Sequence, residues 1–245
     1  SILCLEAGKP VLCEKPFAIN TGEAEAMVAT ARQRGLFLME GMWTRFPPLM
    51  TKVRSLIADG AIGEVRMLNA DFGFRAAPGR PARLFDPANG GGALLDVGVY
   101  VVSFSSMILG PPNRIVSLPT MGAGIDEQAA MILGHPSGAL SILSAAIRTA
   151  TPTVATIMGT EGMIEIHRDW WKPTVFTLSR PGKDPERFHL PPDGNGYNYE
   201  AAEAMRCLRE GLTESPILPL DETLSVMRTL DEIRALWGLR YPMEA

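Results

Sequence analysis

The chain has 245 residues, 46% of them apolar and 20% charged, which suits one large or two ordinary domains and excludes disorder, fibres and peptide-sized scaffolds. Lys plus Arg number 23 against 27 for Asp plus Glu, a net charge of −4, and without a basic run there is little to attract nucleic acid. The three cysteines, Cys4, Cys13 and Cys207, are odd in number and lack CxxC spacing. They read as thiols of a reducing, cytoplasmic compartment, and neither a disulfide framework nor a metal site is expected. The most apolar stretch, Ala93 to Leu109, is broken by Asp96 and Gly98 and is short for a bilayer span, so no membrane partner is expected.

Up to about residue 60 short apolar runs, Pro10 to Cys13 and Leu36 to Met39, flank a helical pattern, which is α/β alternation. That helix is bounded by Asn20 as N-cap, with Glu23 three residues on, and by Gly35, and its core face is Ala24, Met27, Val28 and Ala31. A further helix after Pro47-Pro48 carries the stripe Leu49, Val53, Leu56 and Ile57. From about 61 to 190 the pattern turns to strands, among them Val65 to Phe74, Ala129 to Leu133, Ala139 to Ile147, Pro152 to Met158 and Val175 to Leu178. One helix from Gly92 to about Leu109 interrupts them. Two helices close the chain, the first with Ala201, Met205, Leu208 and Leu212 on its apolar face, the second with Val226, Leu230, Ile233 and Trp237. The expected fold is the carboxyl-terminal part of a Rossmann domain over residues 1–60. A mostly antiparallel α+β domain follows over 61–245, its last helix (about 221–238) folding back on the first part.

Two blocks carry chemistry. Val11-Leu-Cys-Glu-Lys-Pro16 ends a buried strand with Glu14 and Lys15, at the strand end where open α/β sheets bind ligands, and an X-Pro bond there can be cis. A plain charged pair is the competing reading. Gly90-Gly-Gly-Ala-Leu-Leu-Asp96-Val-Gly-Val-Tyr100 leads into a helix on which Asp96 and Tyr100, four apart, share a face. Its competing reading is a dipole-capping aspartate beside a core tyrosine. Gly98 between them weakens the helix by about 1 kcal/mol relative to alanine, which suggests close approach of another group.

These two blocks, with Leu38-Met-Glu-Gly-Met-Trp-Thr-Arg45 between them, resemble the Gfo/Idh/MocA oxidoreductase family. The similarity points to its branch of dimeric dihydrodiol dehydrogenases and NADP-dependent xylose dehydrogenases. Tyr199-Glu-Ala, Cys207-Leu-Arg-Glu-Gly-Leu and Glu214-Ser-Pro-Ile-Leu-Pro-Leu extend it to nearly the whole chain. The resemblance implies hydride transfer between NADP or NAD and a sugar, polyol or cyclic diol. Lys15 and Tyr100 would flank the reacting oxygen, with Asp96 orienting them. A tyrosine serving as base near neutrality needs a cation beside it, which Lys15 would be. Glu14, Lys15, Pro16, Trp43 and Arg45 would contact the cofactor, and Trp43, Phe72 and Trp171 the substrate. A homodimer through the open face of the strands between about 113 and 190 is also implied. Many members carry histidine where this chain has Tyr100, which argues against an inositol-dehydrogenase-like reading. His135, His167 and His189 are taken as surface or packing residues.

No GxGxxG turn precedes Lys15, and Gly90-Gly91-Gly92 follows no mononucleotide-binding strand. The resemblance therefore implies a further amino-terminal stretch on the order of 80 residues in the family pattern, and weak cofactor binding by the 245 residues alone. A non-catalytic dimerising or ligand-binding module is the alternative.

Overall fold

The computed structural model describes residues 1–76 and 82–244. A short helix α1 (Ile2–Glu6) leads into strand β1 (Val11–Glu14), helix α2 (Thr21–Arg34), strand β2 (Leu38–Gly41) and helix α3 (Pro48–Ala58). The β1 and β2 strands pair in parallel, from Val11 opposite Leu38 to Glu14 opposite Gly41, so their carboxyl ends lie side by side. The intervening helix is bounded as its sequence requires. The Asn20 side chain accepts from the Glu23 backbone N–H at 2.9 Å, Glu23 reaches back to the Ile19 N–H at 3.1 Å, and Gly35 ends the helix at φ 61°.

The second layer is an eight-stranded sheet. Its strands are β3 (Val65–Gly73), β4 (Arg114–Gly122), β5 (Ile125–Gly134), β6 (Leu140–Ala146), β7 (Ala155–Gly159), β8 (Met163–Ile166), β9 (Val175–Ser179) and β10 (Glu186–His189). Their spatial order is β10-β9-β8-β7-β3-β6-β5-β4, antiparallel throughout except for the central parallel pair β3 and β6. Helix α4 (Val99–Leu109) packs against that central pair. The apolar segment around it is therefore core, with Val99, Val101, Val102 and Phe104 all buried. Helices α5 (Asn198–Arg209) and α6 (Leu220–Trp237) follow. The second of these packs on α2, β2 and α4, and Trp237 Nε1 donates to Ser117 Oγ of β4 at 2.8 Å.

Three local expectations are corrected. First, the helix expected from Gly92 starts as a π-helical turn over Leu94–Gly98, in which the Val99 N–H reaches back five residues to the Leu94 carbonyl, and becomes α-helical only from Val99. Second, α5 is turned the other way. Ala201, Met205, Leu208 and Leu212 are exposed, and the buried face is Glu200, Glu203, Ala204 and Cys207. Glu203 can be buried because Arg206 Nη2 at 2.8 Å and Ser215 Oγ at 2.5 Å both donate to it. Third, β4, β8 and β10 escaped the pattern. The edge strand β4 contains Pro119, which only an edge tolerates, and β8 and β10 are four residues each.

Between the layers, Glu40 of β2 is 1% exposed, accepts from Thr223 of α6 at 3.1 Å through Oε2 and has no partner at Oε1. Burial pushes its pKa up to about 7, against the pull of the Arg45 charge. A carboxyl whose folded pKa is raised contributes stability that is complete at low pH and lost as pH climbs from the ordinary carboxylate range through that value. The melting temperature should therefore fall between about pH 5 and pH 8. Replacing Glu40→Gln should remove part of the slope, at about 2–4 °C per kcal/mol for a chain of this size. An unchanged slope in scanning calorimetry would show that Glu40 ionises freely.

Candidate active site

Lys15 follows the last residue of β1, with a cis bond to Pro16. Its ammonium donates to the Asp96 backbone carbonyl at 2.7 Å and stands 4.6 Å from the centroid of the Tyr100 ring. Burial lowers its pKa from the usual lysine value, and the neighbouring Asp96 charge works against that shift. The accepting carbonyl belongs to the π-helical turn, a kind of irregularity that recurs at functional sites. The Asp96 side chain is engaged elsewhere, accepting from Arg83 Nη2 at 2.8 Å. Asp96 thus orients Lys15 through its backbone, and its carboxylate draws Arg83 to the rim.

The turn is itself held from below. Asp126 of β5 accepts from the Leu94 N–H at 2.7 Å. Gly92 lies at φ 121°, where a Cβ would stand 2.3 Å from Asp126 Oδ1, and a Cβ on Gly91 would stand 2.6 Å from the Leu84 carbonyl. The glycine run 90–92 is needed because the protein's own atoms fill the space around it.

Tyr100 is buried, and Trp43 Nε1 donates to its hydroxyl at 3.0 Å. Burial raises the phenol's pKa above the ordinary tyrosine range, while the Trp43 hydrogen bond pulls it partly back. Since Trp43 occupies an acceptor lone pair, the Tyr100 O–H remains available as a donor. Two aromatic stacks wall the hydroxyl. Phe72 lies 5.3 Å from the Tyr100 ring and stacks on Trp171 at 3.8 Å, while Trp43 stacks on Tyr197 at 4.7 Å. Lys15, Asp96, Tyr100, Trp43, Phe72 and Trp171 are therefore brought together as the sequence suggested, with Glu14 and Pro16 at the same strand end.

Arg45 is not part of this wall. It is 2% exposed, donates to Ser103 Oγ and to the Ser103 carbonyl, and pairs with Glu222 at 2.8 Å. Its guanidinium is committed to partners in the interior, which is not the position expected for the cofactor contact that the resemblance implied. His135 is a packing residue, as expected, bonded to Ser141 and the Gly110 carbonyl. Sequence reasoning missed Arg83, Tyr197 and Glu200. The first has no motif around it. Glu200 is the middle residue of the quoted Tyr199-Glu-Ala block and Tyr197 stands two residues before it, and a helical reading of the turn would have placed these two on one side.

A parallel α/β layer whose strand ends meet a lysine and a buried phenol is the framework of a dinucleotide-dependent oxidoreductase. Comparison with known proteins agrees. Residues 1–42 match the NAD-binding Rossmann fold model of the oxidoreductase family, and residues 50–165 the GFO/IDH/MocA C-terminal domain. The chain is 37% identical over 254 residues to human trans-1,2-dihydrobenzene-1,2-diol dehydrogenase, covering 99% of this chain and 75% of that protein, and 38% identical to the mouse enzyme of the same name. Among solved structures, it resembles aldose-aldose oxidoreductase from Caulobacter crescentus, complexed with glycerol (TM-score 0.86, 26% identity, 98% and 73% of the two chains). It also resembles a 3-ketoreductase from Actinomadura kijaniata in complex with NADP and TDP-benzene (TM-score 0.82, 27% identity, 96% and 73%). The chain belongs to the Gfo/Idh/MocA oxidoreductase family.

Such a family implies a nicotinamide cofactor. The residues fit the nicotinamide end of one: Lys15 directly follows the strand end at Glu14, which pairs with Gly41, and the buried Glu200 Oε2 near Gly41 has no protein partner. Among the described residues, neither parallel strand is followed by a glycine-rich turn of the pyrophosphate-binding kind.

Tyr100 should stay a phenol into the alkaline range. An ultraviolet difference titration of the protein against Tyr100→Phe should show no phenolate assignable to residue 100 up to about pH 10; an early phenolate signal would mean that a cation, not burial, dominates its environment.

Proposed function

We propose that the chain catalyses reversible hydride transfer between NADP or NAD and the carbinol carbon of a cyclic diol, polyol or sugar. Residues 1–60 serve the cofactor, and residues 61–245 serve the substrate and a partner subunit. The observation that carries this reading is the Lys15 ammonium over the Tyr100 ring, with Trp43 bonded to the Tyr100 hydroxyl, at the ends of two parallel strands. Bound nicotinamide supplies or accepts the hydride. Everything else falls to the chain's own groups.

In the reductive direction the Tyr100 O–H donates to the substrate carbonyl oxygen. It is suited to this because burial keeps it protonated. The negative charge then left on the phenol oxygen is opposed by the Lys15 ammonium, whose position is set by the Asp96 carbonyl. In the oxidative direction the reverse step starts from the phenolate opposite the Lys15 ammonium, which takes the substrate's hydroxyl proton and returns to the phenol. The stacked pairs Phe72 with Trp171 and Trp43 with Tyr197 offer flat faces to a ring-shaped substrate and exclude water from the proton path. The names of the relatives, a trans-diol dehydrogenase and an aldose-aldose oxidoreductase, support ring-bearing substrates. The reducing, cytoplasmic setting rests on the three free thiols.

The open sheet face supports a homodimer. Val116, Ile132 and Ile142 stand in register across β4, β5 and β6 at 67%, 47% and 44% exposure, with Leu118 beside them at 77%. A stripe of this kind is normally covered by a partner. Sedimentation at micromolar concentration should give a dimer mass, and Ile132→Lys should give a monomer; a monomeric parent protein would remove this part of the reading.

For the chemistry, Tyr100→Phe and Lys15→Ala should each lower kcat for NADP-linked oxidation of trans-diols or aldoses on the order of 100-fold. Trp43→Phe should cost less, since it removes only a hydrogen bond to the donor. Full activity in both of the first two variants would sink the proton-transfer roles.

A further inference from the structure

The first two turns of α5 hold two buried glutamates, Glu200 and Glu203, that differ in their hydrogen bonding. Glu203 is saturated, with Arg206, Cys207 and Ser215 all donating to it. Glu200 is buried further, at 4% exposed, and its Oε2 has no hydrogen-bond partner. A buried acceptor left empty is rare enough to call for a donor that the chain itself does not supply. Glu200 lies over the end of the parallel layer. A Cβ on Gly41, the last residue of β2, would stand 3.5 Å from Glu200 Oε2, 3.2 Å from the Cys13 carbonyl and 3.4 Å from the Glu14 Cα. The empty oxygen therefore faces the gap between the carboxyl ends of β1 and β2, where open α/β sheets place their ligands. Glycine at 41 lets the Glu200 carboxyl lie close against the strand ends. One turn before Glu200, Tyr197 stacks on Trp43, whose indole bonds the Tyr100 hydroxyl. The same helical turn thus walls the reaction cleft and aims an acceptor into its cofactor end.

We infer that Glu200 binds the carboxamide of the nicotinamide ring, its Oε2 accepting one amide N–H and so fixing which face of the ring is turned toward Tyr100. This rests on the reading that the crevice takes the nicotinamide end of the cofactor. A primary amide on a flat ring satisfies what the site asks for: a small donor at the strand ends, attached to a plane that fits beside aromatic walls. A substrate hydroxyl is the rival donor. Its reacting oxygen belongs at Tyr100, however, whereas Glu200 stands over Gly41.

The test measures binding rather than turnover. The full chain, with Glu200→Gln and Glu200→Leu, is titrated by saturation-transfer NMR with reduced nicotinamide mononucleotide and with its 3-acetylpyridine counterpart, in which a methyl ketone replaces the amide. The parent protein should prefer the amide about tenfold, a difference typical of one lost hydrogen bond to a buried group. Glu200→Gln, which keeps an acceptor oxygen, should bind the amide within about threefold of the parent, and Glu200→Leu should lose the preference altogether. Equal affinity of the parent for amide and ketone overturns the assignment whether or not Glu200→Leu folds. So does a Glu200→Leu variant that weakens both compounds alike, which would mark Glu200 as structural only. In either case the cofactor reading stands, because the parent still binds. Absence of binding of both compounds to the parent at millimolar concentration overturns that reading, and this inference with it.

Discussion

The hydrogen bond from the Lys15 ammonium to the Asp96 carbonyl, at 2.7 Å, is the contact on which the site depends. It spans 81 residues of sequence and joins the end of the parallel layer to the turn that opens α4. An ammonium withdrawn from water must find acceptors, or its charge becomes costly. A regular α-helix would spend its carbonyls on its own N–H groups, four residues along. The wider π turn alters that ladder where the lysine arrives, and the Asp96 carbonyl takes the ammonium. The turn stays in place because Asp126 holds the Leu94 N–H from the sheet and the Gly91-Gly92 backbone is packed against neighbouring carbonyl and carboxyl oxygens. The position of Lys15 over Tyr100 is therefore a property of the eight-stranded sheet as much as of the strand that bears the lysine.

The parts of the fold that could be read from sequence were those governed by local rules. Asn20, Glu23 and Gly35 bound α2 through backbone donors and a positive φ, all of which are set within a few residues. The face of α5 could not be read that way. Met205, Leu208 and Leu212 look like a core stripe, yet each is exposed by a third or more. The buried side carries two carboxyls, of which Glu203 is made tolerable by Arg206 and Ser215 while Glu200 Oε2 has no partner. Hydrophobic periodicity takes buried positions to be apolar, so it misreads a helix placed for its polar contacts. The π turn was hidden for a related reason: no local residue demands it, and its cause, Asp126, is 32 residues away from Leu94.

The candidate site shows the same division. Lys15, Tyr100 and Trp43 stood in quoted motifs, Phe72 and Trp171 were implied by the family resemblance alone, and the five do meet. Arg45 belongs to one of those motifs and nonetheless faces inward. Its pairing with Glu222 places a carboxylate of α6 against the chain just after β2, a packing role that the motif alone does not distinguish from ligand contact. Arg83 reached the rim with no motif at all, through the Asp96 side chain.

What remains is the balance of charge in the cleft. Burial acts on Lys15 and Tyr100 in opposite senses, lowering the ammonium's pKa and raising the phenol's, so each is biased toward its neutral form. The Asp96 carboxylate favours the charged lysine, but Arg83 draws that carboxylate outward and opposes the lysine's charge as well. Burial thus disfavours the phenolate and the ammonium alike, and favours the states in which the phenol keeps its proton. A substrate oxygen arriving at the Tyr100 hydroxyl changes the energies of these states more than a bulk-solvated pair would allow, since low polarity strengthens every charge interaction inside the cleft. The stacked aromatic pairs add apolar surface around the Tyr100 ring and its hydroxyl. In the proposed reaction, proton transfer would therefore depend on burial as much as on the two residues assigned to it.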